Sequence, residues 1–108
     1  MNIGHINHVN LIGQISSELF RFTNSKGEDY LNFSVKTQET VLKENGETKH
    51  ISNWHQINAT GKWVHLLSEL GEKGVALALE GKLVSRFSRS KGRLIKHTAV
   101  EVNDLVIL

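Results

Sequence analysis

Apolar and polar residues change places at every second position in several separate runs of this chain, the period of strands with one face buried. The clearest run is Tyr30 to Thr37, where Leu31, Phe33 and Val35 alternate with Asn32, Ser34 and Lys36. Upstream, Val9, Leu11 and Gly13 alternate with Asn10, Ile12 and Gln14, which predicts a long first strand from about Ile3 to Ile15. Phe20 and Phe22 flank Arg21 ahead of a turn signal, Asn24-Ser25-Lys26-Gly27, so a hairpin is expected between the first and second strands. A third strand is expected from about Ile51 to Ala59. It follows Lys43 to Glu47, whose Asn45-Gly46 pair suits a type I′ turn while the flanking charge points to a longer, mobile loop. Val75, Leu77 and Leu79 open a fourth strand that continues to about Phe87, with Gly81 where a bulge or sharp bend fits. After a polar tip, Ser88 to Gly92, a fifth strand begins near Leu94 and passes through Val100, Val102 and Leu105 towards Leu108. Only Trp63, Leu66, Leu67 and Leu70 fall at helical spacing, and Gly71 follows them where a left-handed C-terminal cap belongs.

Three strands, a short helix and two further strands match the OB-fold, an all-β, partly open five-stranded Greek-key barrel. The chain has 108 residues, with no linker, repeat or low-complexity run, so residues 1–108 read as a single domain with one small core. It has no Cys, which excludes disulfides, Cys-ligated zinc and thiol nucleophiles. The longest apolar stretch, Val75 to Leu79, is far short of the roughly 20 residues of a membrane helix, and the polar N-terminus has no signal-peptide core. A cytoplasmic protein that does not engage membranes is expected.

The net charge is only +2, but its distribution is uneven. From Gly81 to Val100 there are six basic residues, Lys82, Arg86, Arg89, Lys91, Arg93 and Lys96, and no acid, while the rest of the chain holds seven bases against eleven acids. A polyanion suits such a segment, because neutralising phosphates releases condensed counterions; a solvated basic loop is the plainer alternative. Period two puts Trp54 with Gln56 and Asn58, opposite His55, Ile57 and Ala59. An indole on a polar sheet face is a candidate base-stacking platform, unless loop residues or a subunit contact cover it. Trp63 lies on the helix stripe and reads as core or interface. Lys36 shares the polar face of the second strand and suits phosphate positioning, as do Arg86, Arg89, Lys91, Arg93 and Lys96 around the last hairpin. Phe87, interleaved with them, either takes a base or points into the barrel.

Catalytic constellations are lacking. His5 and His8, three apart on a strand, face opposite sides, which is poor metal geometry. Glu28, Asp29 and Glu69 occupy loop and helix-surface positions, and there is neither a nucleophile elbow nor a phosphate-binding Gly loop. No enzyme, metal or cofactor is expected.

Asn7-His8-Val9-Asn10-Leu11-Ile12-Gly13, Phe20-Arg21-Phe22, Ser52-Asn53-Trp54-His55, Thr60-Gly61-Lys62, Lys73-Gly74, Glu80-Gly81-Lys82-Leu83, Arg86 and the Thr98-to-Val102 strand follow one another in a series. That series resembles the bacterial single-stranded DNA-binding protein family, from about Ile6 to Val106. The resemblance implies a homotetrameric OB-fold that wraps single-stranded DNA without sequence preference in replication, repair and recombination, associated with the nucleoid. It implies subunit contacts for the first strand (His5, Asn7, Val9, Leu11) and for His55, a base-stacking position at Trp54 and another near Phe87; with the reading of the residues themselves, DNA contacts are expected of Trp54, Phe87, Lys36, Lys62, Arg86, Arg89, Lys91, Arg93 and Lys96. Two positions that are commonly aromatic in the family fall near Val41 and at Thr60 and are not aromatic here, which implies weaker, more salt-dependent binding. The family's Gly- and Pro-rich tail with its acidic tip has no counterpart before Leu108, so tail-mediated protein partners are not expected. A primosomal-type module that mainly docks another protein, and RNA as the bound strand, stand as the other readings.

Overall fold

The structure is a computed structural model that describes residues 4–108. It contains six strands and one helix: β1 (Val9–Ile15), β2 (Phe20–Thr23), β3 (Asp29–Leu42), β4 (Thr48–Thr60), α1 (Lys62–Leu70), β5 (Ala76–Ser90) and β6 (Arg93–Ile107). Strand β1 pairs with β5 from Val9↔Gly81 to Gln14↔Ala76, then crosses to β3 through Gln14↔Lys36 and Ile15↔Val35. The circuit β1-β5-β6-β4-β3 therefore closes on itself. The β4 to β6 contact is parallel and short, Ile57↔Val100 and Asn58↔Glu101. This is the five-stranded OB-fold barrel. The sixth strand, β2, lies outside the circuit along β3, so the hairpin expected between the first two strands is made by this separate short strand. Its turn forms as the Asn24 to Gly27 composition predicts: the Asn24 carboxamide oxygen accepts the Lys26 and Glu28 N–H groups at 2.9 Å, and Gly27 takes φ +80°.

The inward positions of each strand make one core of Ile15, Leu31, Phe33, Val35, Ile57, Ala59, Leu77, Leu79, Val100, Val102 and Leu105. Helix α1 plugs the barrel with Val64 and Leu67, both buried, while Trp63 and Leu66 pack half-buried beside them. Leu70, expected on the same stripe, is 53% exposed, because the face turned to the barrel is centred on Val64. Gly71 is not a left-handed cap. It is extended at φ −89°, and it must be small because a Cβ would come within 2.7 Å of the Leu67 carbonyl and 3.1 Å of Leu19.

Strand β1 begins at Val9, not near Ile3, which itself lies outside the described residues. Ahead of it the ladder to β5 is replaced by one side chain: the Asn7 amide donates to the Leu83 carbonyl and its oxygen accepts the Leu83 N–H, both at 2.8 Å. At Gly81 the β5 to β6 register shifts as anticipated, but the extra residue belongs to β6, where Asn103 is skipped between Val102 and Asp104. That insertion lets both Val102 and Leu105 face the core.

The largest difference from expectation is strand length. Instead of a long mobile loop, β3 and β4 continue as a two-stranded arm to Leu42↔Thr48, closed by a turn in which Gly46 N–H donates to the Lys43 carbonyl. Only Gly46 has positive φ there, so the turn is not type I′. The second arm, β5 to β6, does end in a type I′ geometry, at Lys91 (φ 51°) and Gly92 (φ 77°) between Ser90 and Arg93. The arms raise the radius of gyration to 16.5 Å, against about 13 Å for a compact domain of this length.

Candidate nucleic-acid interface

Between the two arms, on the outer face of the barrel, runs a groove of about 580 Å³. Its floor comes from alternation: since Leu31, Phe33, Ile57 and Ala59 point inwards, Asn32, Gln56 and Asn58 must point out. These amides are tied across β3 and β4, the Asn32 amide donating to Asn58 at 2.6 Å and the Gln56 amide donating to Asn32. Asn58 is the one buried polar residue among the described residues, and this bond satisfies its carboxamide oxygen. The opposite wall is Val84, Arg86, Lys96, His97, Thr98 and Ala99 of the second arm. There Ser88 and His97 share a 2.8 Å hydrogen bond across the arm.

Trp54 continues the same outward row beyond Gln56, and its side chain is 64% exposed. Its cross-strand partner is Lys36, so the indole and the ammonium predicted to share a polar face are adjacent on it. Neither loop nor barrel covers the ring. Arg86 and Lys96 line the groove itself, while Arg89, Lys91 and Arg93 crowd the free end of the arm. The structure thus gathers five of the seven predicted cations along one arm and sets Lys36 across the groove floor. Lys62 stands apart at the start of α1, its Nζ 4.8 Å over the Trp63 ring, beside a separate hollow that includes Glu28 and Asp29. Phe87 does not join the groove. Strand β5 alternates without interruption, which puts Phe87 with Leu79, Gly81 and Leu83 on the face away from Arg86 and His97; its cross-strand partner Lys96 shares that face, so Lys96 borders the groove while Arg86 faces into it.

The groove is also lined by an aromatic that sequence reasoning did not assign to it, Phe22, which Tyr30 backs. Phe22 of β2 lies opposite Tyr30 of β3, their ring centroids 5.3 Å apart and their planes 8° from parallel. The Arg86 guanidinium sits 5.9 Å from the Tyr30 ring, and Tyr30 in turn pairs with Thr60. The Phe20-Arg21-Phe22 alternation was the available signal, since it sends both rings to the side opposite Arg21. Arg21 instead holds Asp29, 2.6 Å away; that bond, with one from Thr23, keeps the Asp29 carboxyl below the usual carboxylate range.

The residues expected at subunit contacts fall into two groups. Val9 and Leu11 pack against the chain's own core, and Asn7 is engaged by Leu83. His5 is exposed, while half-buried His55 shares a 2.8 Å hydrogen bond with Thr37. Among the described residues no group of His, Asp or Glu is arranged to hold a metal, and no helix is long and apolar enough to cross a membrane.

Comparison with known proteins accords with this geometry. The chain is 31% identical over 81 residues to Single-stranded DNA-binding protein 1 of Chlorobaculum tepidum, covering 75% of this chain and 50% of that protein. It is 32% identical over 105 residues to the Single-stranded DNA-binding protein of Neisseria meningitidis serogroup A, covering 95% and 60% respectively. The chain therefore spans between half and three fifths of these relatives. Among solved structures, a Plasmodium falciparum SSB complex with ssDNA superposes with a TM-score of 0.85 at 26% identity, covering 100% of this chain and 99% of that one. Residues 6–108 match the Single-strand binding protein family, and with nearly the whole chain matched in sequence and in fold, the chain belongs to that family.

Proposed function

We propose that this chain binds single-stranded DNA without sequence preference, as a non-catalytic protector of exposed strands in replication, repair or recombination. The observation that carries the reading is the outer face of β3 and β4: an uncovered indole, Trp54, beside Lys36, leading into a groove faced by Arg86 and bordered by Lys96. Bases have a π-face whatever their identity, so an exposed ring accepts any of them, while the cations follow the phosphates. A duplex cannot present unstacked bases to such a face. The amides of Asn32, Gln56 and Asn58 are bonded mainly to one another, which favours a floor that accommodates bases over one that reads them.

The test is a titration of the protein with oligo-dT at two salt concentrations, followed by tryptophan fluorescence with duplex DNA as control. Quenching by the single strand, little response to duplex and weaker binding at higher salt are expected. Trp54→Ala should weaken binding by about 1–3 kcal/mol while leaving the salt dependence nearly unchanged, because it removes a stack and no charge. Unchanged affinity in that variant would refute the role given to Trp54.

The chain also works as a homo-oligomer in this proposal. Strand β1 is paired with β5 along its length but meets β3 only at Gln14 and Ile15, which leaves the edge of Val9 to Gly13 open among the described residues. Beside that edge, Ile12, Ala78 and Val106 form one outward apolar row across β1, β5 and β6, with Ile12 72% and Val106 55% exposed. An open strand edge next to an apolar row suits a second copy of this chain, paired strand to strand.

A further inference from the structure

We infer that Phe22, backed by Tyr30, is a second base-stacking site of this chain, at the end of the groove remote from Trp54. The inference rests on the single-strand reading and adds to it a binding residue, a ligand chemistry and a direction for the bound strand. Phe22 is not a core residue: it lies on a four-residue strand outside the barrel circuit, remains 41% exposed, and lines the groove. One of its faces is taken by Tyr30, in near-parallel contact, and the part of the residue that stays exposed borders the groove. The pair is held in place. The Tyr30 hydroxyl accepts a hydrogen bond from the Asn24 amide at 3.2 Å, and Asn24 is itself fixed by the β2 to β3 turn. Arg86 stands over Tyr30 from the opposite wall, so a cation is beside the rings where a phosphate would pass.

A flat, preorganised ring with a cation next to it is what a base needs in order to stack while its phosphate is neutralised. Thr60, Tyr30 and Phe22 lie in one row across β4, β3 and β2, six residues along β4 from Trp54, or about 20 Å. Two stacking points at that separation, joined by the amide floor, lay the strand along the groove from the β3–β4 arm towards β2. Phe20, 60% exposed on the same face, extends the platform at its outer side.

The experiment compares wild type, Phe22→Leu, Phe22→Tyr and Trp54→Ala for binding to oligo-dT and to a chain of the same length carrying abasic sugars, with urea unfolding of each. Phe22→Leu is expected to lose about tenfold or more in affinity for oligo-dT at unchanged salt dependence. Its preference for oligo-dT over the abasic chain should shrink, and Phe22→Tyr should retain both. If Phe22→Leu binds like wild type while Trp54→Ala is weakened, this site is refuted and the single-strand reading stands. Failure of wild type to bind oligo-dT overturns both. Equal losses in Phe22→Leu and Phe22→Tyr, with the abasic preference intact, would mark a packing role and overturn the stacking assignment.

Discussion

Gly81 shows how much one side chain matters to this barrel. Any Cβ there would run into the Glu101 carbonyl and crowd Val100, at the point where the β5 to β6 register shifts. Gly81→Ala must therefore push the two strands apart or strain the bulge at Asn103, at a cost of about 1–3 kcal/mol. Urea unfolding should show a lower midpoint with an unchanged slope, and an unaltered midpoint would mean that the strands give way freely. The need for a small residue was legible in the sequence, as was the outward position of Trp54, because period two and the apolar Ile57 and Ala59 fix the side to which it points. The face of Phe87 was not, since a bulge near Gly81 reverses every later side chain on whichever strand carries it, and composition does not say that the carrier is β6. Phe22 and Tyr30 escaped notice for a related reason: they come together only through the β2 to β3 register.

At the scale of elements, the barrel halves of the strands were legible and the arms were not. Alternation arises where one face is buried, and it fades where both faces meet water, as in Gln38 to Leu42 and Ser88 to Ser90, all of them exposed. Their pairing is held by backbone hydrogen bonds that leave no mark on hydrophobic periodicity. The second arm carries Arg86, Arg89, Lys91, Arg93 and Lys96 without an acid, so it contributes charge at positions that no packing requires. Replacing Arg89 and Lys91 together with Ala should leave the unfolding midpoint nearly unchanged. If each meets one phosphate, the same change should flatten the slope of log affinity against log salt by about 1.4, some 0.7 per contact with a single strand. An unchanged slope would place the strand elsewhere and leave the arm tip as a solvated surface.

For the whole molecule, the proposed homo-oligomer rests on the edge of β1 that is open among the described residues and on the row formed by Ile12, Ala78 and Val106. An apolar row at the solvent face of a closed barrel does nothing for the fold of one chain, because the core of Leu77, Leu79 and Leu105 lies on the other side of the same strands. Covered by a second copy, it removes apolar surface from water and gives the unpaired N–H and C=O groups of Val9 to Gly13 partners. Ile12→Glu puts a charge in the middle of that row without touching the core, so the chain should keep its unfolding behaviour at low concentration while sedimenting as a smaller species than wild type. Affinity for long oligo-dT should fall further than affinity for an oligomer that one subunit can cover, since linked sites raise the effective concentration of the second contact. Wild type that sediments as a single chain, or an Ile12→Glu variant with the mass of wild type, would show that this face is not where copies meet. A parallel fall for short and long strands would instead show that Ile12 acts within one subunit, through the β1 to β5 pairing that sets the base of the second arm.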